Sequence, residues 1–234
     1  MLQSVLLTKS TRFKLTYQSE CYILKGANFR MPTVSPLRRI VFIALFAALF
    51  VVFSAVQIQI GISPVPFTLQ TMAVAIAGSF LGARDSFLSI ALVYGLAATG
   101  LPLIRFQGGL SLFVGPTAGF LWVFPLCALL IGLIVPRLLV RLSGRSPVLT
   151  FLAVFAVLEL LGSLLAYVVG IPWLMQATGL SFAEAMAAGC YPFLLPDLLK
   201  NVVAAGAAVA LSAYLPSLRL LRAADRPDRP TAAA

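Results

Sequence analysis

The sequence predicts an all-α integral membrane protein, a single bundle of six crossing helices with both ends on the cytoplasmic side. Three observations carry this expectation. Hydrophobic residues make up 61% of the 234-residue chain and charged residues 10%, with a mean hydropathy of +1.02, far fewer charges than a water-soluble domain carries. The apolar residues fall in blocks of about twenty, the length that crosses a bilayer. The excess of 17 Lys and Arg over 7 Asp and Glu, a net charge of +10, sits mainly in short connections and tails. Placed there, positive charge orients membrane helices, so no nucleic-acid partner is expected.

Residues 1–37 are polar and mixed, with Lys9, Arg12, Lys14, Glu20, Lys25 and Arg30. They lack the apolar core of a signal peptide. They read as a cytoplasmic tail without fixed structure, or as a stretch upstream of a true start at Met31. Residues 38–216 form the membrane domain, and 217–234 a basic cytoplasmic tail with Arg219, Arg222, Arg226 and Arg229.

Arg38 and Arg39 place the start of the first apolar run, about 40–56, on the inside. Ala44 and Ala48 in that run are four apart, and small residues at this spacing permit close helix approach. Packing within the bundle and docking of a partner membrane protein both fit. Residues 57–71, marked by Gly61, Pro64 and Pro66, read as an outer turn leading into helix two, about 68–82. Gln59, Thr68 and Gln70 can point donors and acceptors inward. Arg84 lies in a short inner turn before helix three, about 86–99, whose main polar group is Tyr94. Residues 100–120 are too apolar for an exposed loop and too rich in glycine for a plain helix. Irregular backbone at membrane depth needs protein or a cavity beside it, so this stretch is expected to fold over or into the bundle mouth. Arg105 is its single charge.

Helix four is expected over about 117–135, followed by the inner cations Arg137, Arg141 and Arg145. Helix five covers about 147–170 with Glu159 near its middle, an acid that must be neutral, paired or facing a cavity. Trp173 then marks the membrane surface. Ser181 and Glu184 have capping-box spacing, which predicts a short helix near that surface. The last helix, about 197–215, is expected to open at Pro196. Asp197, Lys200 and Asn201 follow at spacings of three and four, on one side of it.

Arg105 and Lys200 are the two cations that the charge bias leaves on the outer side. Asp197 offsets one of them, and an anionic ligand, most simply a carboxylate, would offset the other through charge-assisted hydrogen bonds. The amides of Asn201 and Gln59 suit a neutral polar head with both donors and acceptors. Phe67, Phe106, Phe113, Trp173, Tyr191 and Phe193 are candidate walls of such a pocket. A structural ion pair with snorkelling side chains is the plainer reading. Catalysis has no support: the chain has no Walker A, HExxH or G-x-S-x-G pattern. It also has no histidine, hence no ordinary nucleophile–base pair. Cys21, Cys127 and Cys190 lack ligand spacing, so neither a metal nor a cofactor is expected. Uphill transport driven by ATP would need the ATPase on another chain.

Several stretches together resemble the BioY family, the biotin-binding S components of energy-coupling factor (ECF) transporters. They are Pro64-Val-Pro-Phe-Thr-Leu-Gln-Thr71, Leu81-Gly82 with Arg84, Gly100-Leu-Pro102, and Gly108-Gly109 followed by Gly115-Pro-Thr117. Pro172-Trp173-Leu174 and Pro192-Phe-Leu194 through Pro196-Asp-Leu-Leu-Lys200 complete the pattern, which spans about 38–215. The resemblance implies a six-helix, outward-facing pocket that binds biotin tightly as a transported substrate. Basic residues there meet the carboxylate, and acid and amide groups meet the ureido ring. It places Asp197 and Lys200 in the pocket. Arg105 stands in Ile104–Gln107, where the family often shows small residues and glycines. It also implies that the small-residue face with Ala44 and Ala48 docks a transmembrane coupling subunit. ABC-type ATPase subunits would then drive toppling of the whole chain in the bilayer. The competing readings are a self-sufficient carrier of another small carboxylate, weakened by the lack of clear inverted repeats, and a membrane enzyme.

Overall fold

The computed structural model describes residues 36–58 and 64–212. The expectations for residues 1–35, for Gln59 and for the basic tail lie outside the described residues.

The first helix, α1, spans Pro36–Ala55, and a two-stranded antiparallel ladder follows. Its strands β1 (Gln57–Ile58) and β2 (Phe67–Thr68) pair Gln57 with Thr68 and Ile58 with Phe67. The stretch expected as an outer turn thus contains two paired strands, and β2 delivers the chain into α2 (Gln70–Leu81). Gly82 then separates α2 from α3 (Ala83–Ala98), with a φ of 81°. That left-handed φ is cheap only for glycine, which is why one apolar run becomes two short helices. The remaining helices are α4 (Ala118–Arg141), α5 (Pro147–Thr178), α6 (Phe182–Gly189) and α7 (Tyr191–Ala210).

Among the described residues, four segments are long and apolar enough to cross a bilayer: Pro36–Ala55, Ala118–Arg141, Pro147–Thr178 and Phe182–Ala210. The molecule is therefore an all-α, multi-pass membrane protein. Helix α4 is its axis, packing against α2, α3 and α5. Its buried row runs from Ala118 through Phe124, Ala128, Ile131 and Val135 to Leu139. Helix α1 is peripheral and buries only Ala47, Phe50 and Ser54. Ala44 and Ala48 lie on its exposed side.

The element bounds differ from the expected ones chiefly at prolines. Helix α4 continues through Pro136, and α5 through Pro172 to Thr178, where Gly179 ends it with a φ of 73°. Helix α7 does not open at Pro196. It begins at Tyr191 with Pro192 in the first turn, and Pro196 sits inside it. Proline in a membrane helix loses a hydrogen bond that neighbouring groups make good, so it marks a boundary less reliably than in water. A π segment at Glu159–Leu164 interrupts α5. The capping box at Ser181 and Glu184 is present and starts α6.

The end of the bundle at the α2–α3 turn is held from two sides. Arg39 grips Asp85 with a forked contact, Nε donating at 2.8 and 2.9 Å and a second guanidinium nitrogen also donating to the carboxylate. Helix α4 closes on the same turn through Gly132, where a Cβ would stand 2.5 Å from the Ala83 nitrogen and the Gly82 carbonyl carbon. Both neighbours are backbone and cannot swing aside. Gly132→Ala should therefore force α4 off the turn and cost about 1–3 kcal/mol, as overpacking does. Gly95→Ala on α3 meets no atom within 4 Å and should be neutral or stabilise by up to ~1 kcal/mol. Thermal unfolding of the two variants in detergent checks the contrast.

Candidate functional site

At the other end of the bundle a cavity of about 550 Å³, counting its opening, lies between the hairpin, the 100–117 loop and helices α2, α4, α5 and α7. Its polar lining is Thr68, Gln70, Thr71, Arg105, Thr117, Asp197 and Lys200, and its apolar lining includes Phe120, Leu121, Phe124, Tyr167 and Phe193.

Helix α7 supplies Asp197 and Lys200, both buried. Their separation of three residues puts one above the other, and they form a 2.7 Å ion pair. Burying two charges is costly unless every remaining lone pair and proton is satisfied, and here nearly all are. Lys200 Nζ also donates to the Thr68 carbonyl at 2.6 Å and to Thr71 Oγ1 at 3.3 Å, and stands 4.1 Å from the centre of the Phe67 ring. Thr71 Oγ1 donates to Asp197 Oδ1 at 3.1 Å, and the Tyr167 hydroxyl donates to Asp197 Oδ2 at 2.5 Å. All three Lys200 protons are thus engaged by the protein. Asp197 accepts three hydrogen bonds and, with about four lone-pair sites, keeps room for one more donor.

Arg105 reaches the cavity from the loop. Ile104 and Gln107 exchange backbone hydrogen bonds of 3.2 and 2.8 Å, leaving Arg105 and Phe106 at the tip of a two-residue turn. Both have positive φ, 53° and 59°, as a type I′ turn requires. For residues with a Cβ this costs of order 1 kcal/mol or more each. Ser54 of α1 secures the turn, accepting from the Arg105 backbone N–H at 3.3 Å, with its own proton shared between the Val51 and Leu103 carbonyls at 2.7 and 3.0 Å. The guanidinium donates to Thr117 Oγ1 at 3.0 Å, while its Nε is buried without a partner. Burial draws its pKa below the ordinary arginine range. Among the described residues lining the cavity, Arg105 is the cation that no acid neutralises.

Other expected site residues stand elsewhere. Asn201 is buried on α7 but donates to Glu159 Oε2 and Ser163 Oγ, each at 2.8 Å. This amide pairs the mid-membrane acid and does not line the cavity. Trp173 donates to the Gly115 carbonyl at 2.9 Å, and Gly119 lies so close that a Cβ there would be 2.4 Å from the Trp173 Cβ. It thereby fixes the strand of loop that carries Thr117. Phe67 touches Lys200 from outside the cavity lining. Tyr191 and Phe106 are exposed. Phe113 is buried between Tyr94 and Trp122. Tyr167 was not foreseen, although a phenol in an apolar run needs a partner and so signalled one.

The sequence profile of the BioY family matches residues 26–217. The biotin transporter BioY of Rhodobacter capsulatus is 39% identical over 195 residues, covering 79% of this chain and 98% of that protein. The biotin transporter BioY of Rhizobium etli is 37% identical over 172 residues, covering 72% and 89%. Among solved structures, the S-component for biotin from an ECF-type ABC transporter matches with a TM-score of 0.70 at 23% identity, over 78% of this chain and 95% of that one. That likeness is one of fold.

The ion pair makes a testable demand on stability. Lys200→Met strands a buried carboxylate and should cost about 3–5 kcal/mol. Adding Asp197→Leu to it should restore part of that loss, because the stranded charge is then gone. Denaturation of the single and double variants in detergent measures the difference.

Proposed function

This chain belongs to the BioY family, and from that premise we propose that it binds biotin in the cavity as the substrate subunit of an ECF-type transporter. The observation that carries the reading is a single cavity holding an unneutralised guanidinium, Arg105, and a buried carboxylate with a vacant acceptor site, Asp197. Biotin is a carboxylate at one end and a ureido ring at the other. Arg105 takes the carboxylate, and Asp197 accepts a ureido N–H. Phe120, Leu121, Phe124 and Phe193 suit the apolar chain and the sulfur-containing ring between. Lys200 serves by holding Asp197 in place. Asn201, Trp173, Phe67 and Tyr191 support the site without lining it.

The fuller arrangement follows the same reading. Six crossings result when the short helices α2 and α3 each pass through the bilayer beside the four long segments. Both ends are then cytoplasmic, with Arg39, Arg84, Arg137, Arg141 and Arg145 on the inner side and the cavity facing out. Residues 1–37 and 217–234 flank the membrane domain. The exposed Ala44 and Ala48 offer a small-residue face to a transmembrane coupling subunit, and separate ABC-type ATPase subunits supply the energy.

Labelled biotin added to ligand-stripped protein in detergent tests the central statement. Saturable binding is expected, and its absence from folded protein overturns the reading. Arg105→Ala should weaken binding by about thirtyfold or more, the usual loss when one partner of a buried charge pair is cut back. The uncharged biotin amide should bind wild type more weakly than biotin does, and Arg105→Ala should abolish that preference.

A further inference from the structure

The cavity contains one more buried polar group that the ion pair and Arg105 leave unexplained. Gln70 opens α2, is 5% exposed and lines the cavity. Its Nε2 has no hydrogen-bond partner. A buried donor left unmade is costly, and in a ligand site the natural reason for one is an acceptor on the ligand.

In the structure the amide turns its oxygen to Thr68 and its nitrogen to the cavity side without a partner. Thr68 Oγ1 accepts the Gln70 backbone N–H at 3.4 Å and donates to Gln70 Oε1 at 3.1 Å. A hydroxyl has one proton to give, and Oε1 receives it. In this placement the oxygen of the amide is occupied, and the nitrogen is the end left open. Thr68 is itself pinned, since β2 pairs it with Gln57 and its carbonyl accepts from Lys200 at 2.6 Å. The same short stretch thus holds the lysine that orients Asp197 and the hydroxyl that orients Gln70. One supports an acceptor and the other a donor.

We infer that Gln70 is a specificity-determining residue whose Nε2 donates to the carbonyl oxygen of the ligand's cyclic urea. This rests on the proposed biotin site and deepens it. Asp197 and Gln70 then read the head group as a complementary pair, Asp197 an N–H and Gln70 the adjoining C=O. A head carrying a donor in place of that oxygen would face Nε2 with hydrogens on both sides. Discrimination of this kind exceeds what apolar walls supply, because the wrong ligand leaves buried polar groups unpaired.

The probe is 2-iminobiotin, in which an exocyclic nitrogen that donates replaces the urea oxygen. Dissociation constants for biotin, 2-iminobiotin and desthiobiotin are measured on the full chain in detergent, for wild type, Gln70→Met and Gln70→Glu. Wild type should prefer biotin to 2-iminobiotin. In Gln70→Met, biotin and desthiobiotin, which share the urea, should both weaken by about tenfold or more, and 2-iminobiotin should change far less, so the preference collapses. The nearly isosteric Gln70→Glu turns a donor into an acceptor and should reverse the preference. A preference unchanged within about twofold in a folded variant, or equal weakening of all three ligands, overturns the inference and leaves the biotin site standing. Failure of wild type to bind biotin overturns both. Should Gln70→Met not fold, Gln70→Glu decides alone.

Discussion

The buried ion pair of Asp197 and Lys200 is the constraint on which the site depends, because it ties three separate parts of the chain to one point. Lys200 reaches the Thr68 carbonyl and Thr71, and Asp197 receives the Tyr167 hydroxyl. The hairpin, the start of α2 and the middle of α5 are thereby held against α7. In hydrocarbon, apolar side chains have no hydrophobic drive to meet one another rather than lipid. A few hydrogen-bonded groups can then decide where helices sit. The pair is a poor source of net stability by itself, and what it fixes is position.

Its completeness explains a division of labour. Three of the Lys200 protons are committed, so the lysine cannot also grip an anion without giving up a partner. The cavity cation without an acid beside it, Arg105, is on a loop, at the tip of a turn with two strained residues. The strain is held by Ser54 below and by the Ile104–Gln107 bridge. A loop residue can be placed at the cavity mouth without altering a helix, whereas a cation added to a helix would need its own acid. One polar end of the cavity is thus built on rigid helices and the other on a braced loop.

The sequence disclosed much of this, for identifiable reasons. Asp197 and Lys200 stood out because charges inside an apolar run are expensive, and Arg105 because it broke the charge bias. The capping box was readable because it is local chemistry. Asn201 was misplaced for the opposite reason. Spacing puts it on the side of α7 that carries Asp197, but only the structure shows Glu159 and Ser163 waiting for it one turn away. Trp173 read as an anchor at the membrane surface, and its actual role depends on contact with Gly115 and Gly119, far off in sequence. The ends of α5 and α7 were missed because proline was weighed as in water. Gln70 was visible as a polar residue near the site, but its orphaned nitrogen depends on how Thr68 is held.

The same reasoning accounts for the π segment. Helices α5 and α7 run antiparallel, and their polar residues face in register, Asp197 meeting Tyr167 and Asn201 meeting Ser163 one turn further along. Glu159 stands four residues back from Ser163 on α5, so the two acceptors are neighbours on one face. A π turn inserts extra chain within a helix, and it begins at Glu159. The Asn201 amide then spans both acceptors at 2.8 Å. Slipping α7 by one residue would set Leu198 against Tyr167, take the Tyr167 hydroxyl from Asp197 and part Asn201 from Glu159 and Ser163. Each loss falls in a medium that offers no water in compensation. The seam therefore fixes the register that aims Asp197 into the cavity, and the π segment of α5 carries two of the acceptors that hold it.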